Sequence, residues 1–129
     1  MTEPIWISRQ AAEAIHRGQL REHGGRWGIR DENLLESALA RPQQRYAYEP
    51  DSDLFDLGAA YAFGITRNHP FIDGNKRTGY MALYSFLGAN GYRLNAPEPA
   101  AVITMLAVAA GEMDEAALAA WARENNEPR

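Results

Sequence analysis

Two neighbouring segments constrain the fold more than anything else in this sequence. From Asn75 to about Asn90, the residues Tyr80, Met81, Leu83, Tyr84, Phe86 and Leu87 cover nearly the whole circumference of a helix. A helix that is apolar all round must be enclosed by other elements. The segment before it, from Asp53 or Leu54 to Asn68, behaves similarly. Leu54, Leu57, Tyr61 and Ile65 form one apolar stripe, and Phe55, Ala62 and Phe63 extend it. Two buried helices separated by a short polar loop predict a helical bundle with that pair at its centre.

The remaining signals agree with an all-α class of about six helices. Ser8 can cap a first helix reaching about His23, with Ala12, Ile15 and Leu20 inward and "HGG" as its stop. Asp31 can cap a second, carrying Leu34, Leu35, Ala38 and Leu39 and stopping at Pro42. The stretch "QQRYAYEPDS" then reads as a connector, with "RYAY" briefly extended. Pro97 and Pro99 bracket the start of a fifth helix, and Asp114 can cap a sixth. The tail "NEPR" reads as frayed. With 129 residues the chain suits one domain with one core, residues 1–129.

Composition removes several classes of function. There is no cysteine, which excludes disulfide frameworks, thiol nucleophiles and cysteine zinc sites. The net charge of −4 argues against a broad surface for nucleic acid or anionic membrane. The longest apolar run, "AAVITMLAVAA", is too short to span a bilayer, and the N-terminus lacks the features of a signal peptide. The expected location is cytoplasmic.

The loop between the two buried helices reads "HPFIDGNKR". It places polar chemistry where a helix begins, and a helix start offers free N–H groups and partial positive charge to an anion. Gly74 permits a positive φ or a close approach of backbone to ligand. Asn75 can cap the helix, contact an anion or orient the loop. Lys76 adds a point charge, and Arg77 adds a planar fork suited to phosphate. Asp73 is a lone carboxylate beside this cradle, the arrangement Mg²⁺ takes when phosphates and waters complete its shell. His69 can accept a proton near neutral pH. Phe71 and Ile72 are expected to pack inward. Each residue taken singly has a plainer structural use. Together they supply a base, a metal ligand, an anion hole and two cations, which is the equipment of phosphoryl-type transfer. No Walker-type loop is present.

This loop resembles the signature of the Fic/Doc family: histidine–x–phenylalanine–x–aspartate/glutamate–glycine/alanine–asparagine–x–arginine. His69, Phe71, Asp73, Gly74, Asn75 and Arg77 match every position. The stretches "GGRWGIRDENLLESALARPQQRYAYEP" and "AAYAFGITRNHPF" extend the likeness over most of residues 8–91, and they look like the Doc (death-on-curing) branch. The resemblance implies a compact helical bundle with the signature between two central helices. It assigns His69 as general base, Asp73 as Mg²⁺ ligand, Gly74, Asn75 and the following backbone as anion hole, and Arg77 as a phosphate contact.

Lys76 bears on the reaction. Most nucleotide-transferring Fic enzymes carry glycine there, whereas the Doc branch carries lysine and resembles kinases. A lysine takes space and charge where glycine leaves room for a phosphate. The implied activity is transfer of the γ-phosphate of ATP to a hydroxyl of a protein, an elongation factor of the Tu type, which stalls translation. The implied partner is a small antitoxin encoded alongside, since the chain has no [ST]-x-x-x-E-[GN] self-inhibitory match. The resemblance also likens "RYAY" to the family's substrate-docking flap, against plain packing for Tyr46 and Tyr48. The alternatives are AMP transfer and an inert module that binds the antitoxin.

Overall fold

The computed structural model describes residues 2–129. Six helices and one small sheet follow in order: α1 Arg9–His23, α2 Glu32–Tyr48, α3 Leu54–Asn68, α4 Asn75–Ala89, β1 Tyr92–Leu94, α5 Glu98–Ala109, α6 Glu115–Glu124 and β2 Asn126–Pro128. The all-α class and the pairing of α3 with α4 are as the sequence predicts, but α4 is not enclosed all round: Leu83, Phe86 and Leu87 are buried, whereas Tyr84 is 36% exposed. Helix α3 is the axis, with α2, α4 and α6 packed around it. Its buried face holds Leu57, Tyr61 and Ile65, and Leu83, Phe86 and Leu87 of α4 close against it. Tyr61 is wholly buried, and its hydroxyl accepts the Ile7 N–H at 2.9 Å. Burial raises the pKa of that phenol to about 12.

The two axes approach closely because small residues face each other. A Cβ on Gly79 would lie 2.6 Å from Thr66 Oγ1 and 3.0 Å from the Ala62 carbonyl oxygen. Nothing larger than glycine fits there without moving α3. This crossing fixes the relative position of the C-terminus of α3 and the N-terminus of α4, the two ends between which residues 69–74 run.

Three local expectations are corrected. Helix α2 does not stop at Pro42 but continues to Tyr48, so "RYAY" is helical rather than extended. Proline removes one helical hydrogen bond, but tertiary contacts hold the second half of the helix in place. Pro42 itself is buried. Arg41 and Arg45 clamp Glu115 of α6 from both sides, at 2.6 and 2.7 Å, and Tyr46 packs edge-on against Trp6. Tyr48, by contrast, is 86% exposed. The tail is not frayed: Asn126–Pro128 pairs antiparallel with Tyr92–Leu94, and Arg129 donates its N–H to the Gly91 carbonyl. Ile72 is not core but 37% exposed.

Candidate active site

The structure brings all six site residues expected from the sequence to one cavity of about 300 Å³, lined by His69, Ile72, Asp73, Gly74, Asn75, Lys76 and Arg77. Its floor is the N-terminus of α4. Gly74, not Asn75, is the N-cap, with φ 78° and ψ 21°, and no side chain caps the helix. The first helical bond is donated by Thr78 to Gly74. No acidic residue occupies the first turn. The N–H groups at this end therefore keep their partial positive charge for a ligand. Lys76 and Arg77 are exposed at the same end.

Asn75 serves the loop instead. It is buried, and its side-chain amide closes on Phe71 in both directions. Oδ1 accepts the Phe71 N–H at 3.0 Å, and Nδ2 donates to the Phe71 carbonyl at 2.9 Å. Of the three roles open to Asn75, its side chain takes that of orienting the loop. Phe71 is buried as expected and stacks on the ring of His16 at 3.9 Å.

His69 ends α3. It is the one non-glycine residue with positive φ among the described residues, at φ 55° and ψ 52°. Left-handed backbone at a histidine is uncommon and persists where its surroundings impose it. Arg30 imposes it. Its Nε donates to the His69 carbonyl at 2.7 Å, and an Nη donates to the Asn68 carbonyl at 3.0 Å. The guanidinium thus caps the C-terminus of α3, and the His69 side chain is left exposed at the cavity.

The segment between α1 and α2 is the scaffold of this loop, which local sequence reasoning did not reveal. Arg30 and Asp31 donate their N–H groups to the Pro70 carbonyl, and Ile72 donates to Gly28. Ile29 and Phe71 form an isolated antiparallel bridge. The Arg26 N–H donates to Asp73 Oδ2 at 2.8 Å. The segment carries no hydrophobic period, so its function as a brace is visible only in three dimensions.

His16 is the other residue missed. It is wholly buried, and its Nε2 donates to the Asp73 carbonyl at 2.8 Å. Its Nδ1 is buried without a partner, which fits a neutral ring protonated on Nε2. Burial pushes its pKa below the usual histidine value. The bond to the Asp73 carbonyl opposes that shift and the nearby charge of Arg17 adds to it.

Comparison with known proteins agrees with this geometry. The Fic/DOC family model matches residues 6–87, from the chain entering α1 to the last turns of α4. The chain belongs to the Fic/DOC family. Among curated relatives it is 37% identical over 93 residues to the "Protein kinase doc" of Escherichia phage P1, covering 71% of this chain and 74% of that protein. It is 43% identical over 74 residues to the "Toxin Doc" of Mycolicibacterium smegmatis, covering 57% of each. The family match ends in α4, so β1, α5, α6 and β2 lie outside it. Among the described residues, no helix is long and apolar enough to cross a membrane.

Proposed function

We propose that this Fic/DOC chain is a Doc-type toxin that transfers the γ-phosphate of ATP to a hydroxyl of a protein, a translation elongation factor of the Tu type. The observation that carries this reading is the position of Lys76. It sits in the uncapped first turn of α4 and lines the same cavity as His69, with no acceptor among the described residues. A lysine there occupies the space that a glycine would leave to a phosphate. The naming of the phage relative as a protein kinase supports the same direction.

The chain's own residues divide the work. The N–H groups at the start of α4 and the Arg77 fork hold phosphoryl oxygens. His69, held by Arg30, takes the proton of the acceptor hydroxyl. As it does so, the bond from that oxygen to the γ-phosphorus forms and the bond from the γ-phosphorus to the β-phosphate oxygen breaks, so that ADP leaves. Asn75 keeps the loop in register through Phe71. Asp73 fits a Mg²⁺ ligand: the Arg26 N–H engages Oδ2 and leaves Oδ1 without a protein partner. No group of three or more candidate ligands lies nearby among the described residues. One carboxylate completed by phosphates and waters is a usual Mg²⁺ shell. The ion would neutralise phosphate charge when bound.

A small antitoxin is the expected partner, in keeping with the toxin naming of the Mycolicibacterium relative. The test is incubation with elongation factor and ATP labelled at the α or the γ position. Label should appear on the factor from the γ position alone. Label retained only from the α position would establish AMP transfer and overturn the kinase reading.

A further inference from the structure

One peptide unit at the floor of the cavity is not held by the helix that follows it. It joins Asp73 to Gly74, the N-cap of α4. The N–H groups of Asn75, Lys76 and Arg77 are aligned by the first turn of the helix itself. The Gly74 N–H lies before that turn and meets no acceptor among the described residues. Gly74 stands at φ 78°, and glycine populates positive and negative φ about equally. The Asp73–Gly74 peptide can therefore turn over at little local cost. One orientation presents the Gly74 N–H to the cavity. The other presents the Asp73 carbonyl oxygen, which puts partial negative charge where an anion would sit.

His16 of α1 decides between the two. Its Nε2 lies 2.8 Å from the Asp73 carbonyl oxygen. That oxygen can only accept, so Nε2 carries the proton. The C=O and N–H of a trans peptide point in opposite directions, and no peptide among the described residues is cis. The carbonyl is turned inward to a wholly buried ring. The Gly74 N–H is thereby turned away from α1, on a residue that lines the cavity. The ring has little freedom to yield. It stacks on Phe71, with centroids 3.9 Å apart and planes 14° apart, and the Trp27 indole lies 5.2 Å away. Phe71 is in turn gripped by the Asn75 amide from both sides. A Cβ on Gly74 would stand 3.9 Å from His16 Nε2, so the ring reaches the cap itself.

We propose that His16 is a positioning residue of the phosphate site: by holding the Asp73 carbonyl it locks the Asp73–Gly74 peptide with the Gly74 N–H presented to the phosphate chain. The proposal rests on the phosphoryl-transfer reading given above. His16 touches no ligand and acts through the backbone. A donor fixed before the ligand arrives costs no reorganisation when the ligand binds. Packing alone would not require a histidine here, since a leucine fills similar space. A leucine would leave the carbonyl free to turn toward the cavity.

The test uses inorganic tripolyphosphate in magnesium buffer, with calorimetry and amide NMR on the same protein. In wild type the Gly74 amide proton should move downfield on binding, together with those of the first turn of α4. His16→Leu, which has no donor, should bind tripolyphosphate about tenfold or more weakly, as loss of one hydrogen bond to a charged group would give. Its Gly74 amide should no longer respond, whereas the Asn75–Arg77 amides still should. His16→Gln places an amide donor near the position of Nε2 and should restore most of the affinity and the Gly74 response. A purely structural role would instead make both variants lose affinity in step with stability, read by denaturant titration. Should His16→Leu fail to fold, the Gly74 response in wild type and His16→Gln decides the matter. A Gly74 amide that does not respond in wild type would overturn the proposal and leave the phosphate site standing. Equal affinity in the folded leucine and glutamine variants would do the same. If tripolyphosphate does not bind wild type at all, the phosphate reading of this helix end fails, and the proposal fails with it.

Discussion

The N-termini of α3 and α4 lie in the same core and are finished in opposite ways. At α3, Asp53 and Asp56 form a reciprocal capping box, with bonds of 2.8 and 3.0 Å, and Arg123 closes over both carboxylates. The helix end is sealed by the protein's own acids. At α4 the cap is a left-handed glycine with no side-chain acceptor, the first turn has no acid and carries Lys76 and Arg77, and Asp73, just before the cap, is held by the Arg26 N–H instead of capping the helix. One end has satisfied its orphan donors internally, and the other keeps them for something negative from outside. The difference separates an element of stability from an element of function within one helical pair.

The largest effect that follows concerns the open end. His69→Ala should lower the rate of transfer by about 10²–10⁴-fold, the usual contribution of a general base. Because the side chain is exposed, the melting temperature should hardly change. Transfer assays and thermal melts on the same preparation check both statements. Next comes Asn75→Ala, which leaves the buried N–H and C=O of Phe71 without partners. It should cost about 1–3 kcal/mol of stability, read by denaturant titration, and activity should fall with it as the loop loses its register.

The sealed end should answer differently. Asp53→Ala should cost about 1 kcal/mol through the lost cap, with the exposed ion pair to Arg123 adding little. ATP affinity should stay the same. Arg123 and the capping bonds from Asp56 hold the Asp53 carboxyl below its ordinary value, against the opposing effect of burial. Its contribution is therefore present above the unfolded carboxylate value and is lost as pH falls through the lower folded one.

The smallest effect belongs to His16. Its folded pKa is depressed, so the unfolded chain binds the proton more readily. Stability should be full above the unfolded histidine value, about 6.5, and decline as pH falls below it toward the folded value. Melting curves between pH 7.5 and about 5 should show this slope in wild type and a shallower one in His16→Gln.

What the sequence made legible was local chemistry with local consequences. The capping residues Ser8, Asp31, Asp53 and Asp114 start their helices where expected, because each cap bond spans only three residues. The apolar stripe of Leu57, Tyr61 and Ile65 marked α3 as the buried axis of the bundle. What stayed hidden depends on partners far away in the chain. Pro42 looked like a stop because its helix is held by Glu115, more than seventy residues on. The tail looked loose because its partner strand begins at Tyr92. Asn75 left three roles open because nothing local shows Phe71 turning back onto it. His16, on a mixed face of α1, gave no sign of the Asp73 carbonyl it meets. Arg30 gave none of His69.

The most direct test puts the cap of α3 onto α4. Gly74→Asp introduces a carboxylate at the N-cap, and aspartate tolerates left-handed backbone better than most residues. The space admits it, with the nearest side-chain atoms 3.7 to 3.9 Å from the new Cβ. If the open N-terminus of α4 is the phosphate site, calorimetry should show ATP affinity falling about tenfold or more in a protein that still melts cooperatively. Unchanged ATP affinity in folded Gly74→Asp protein would contradict the account.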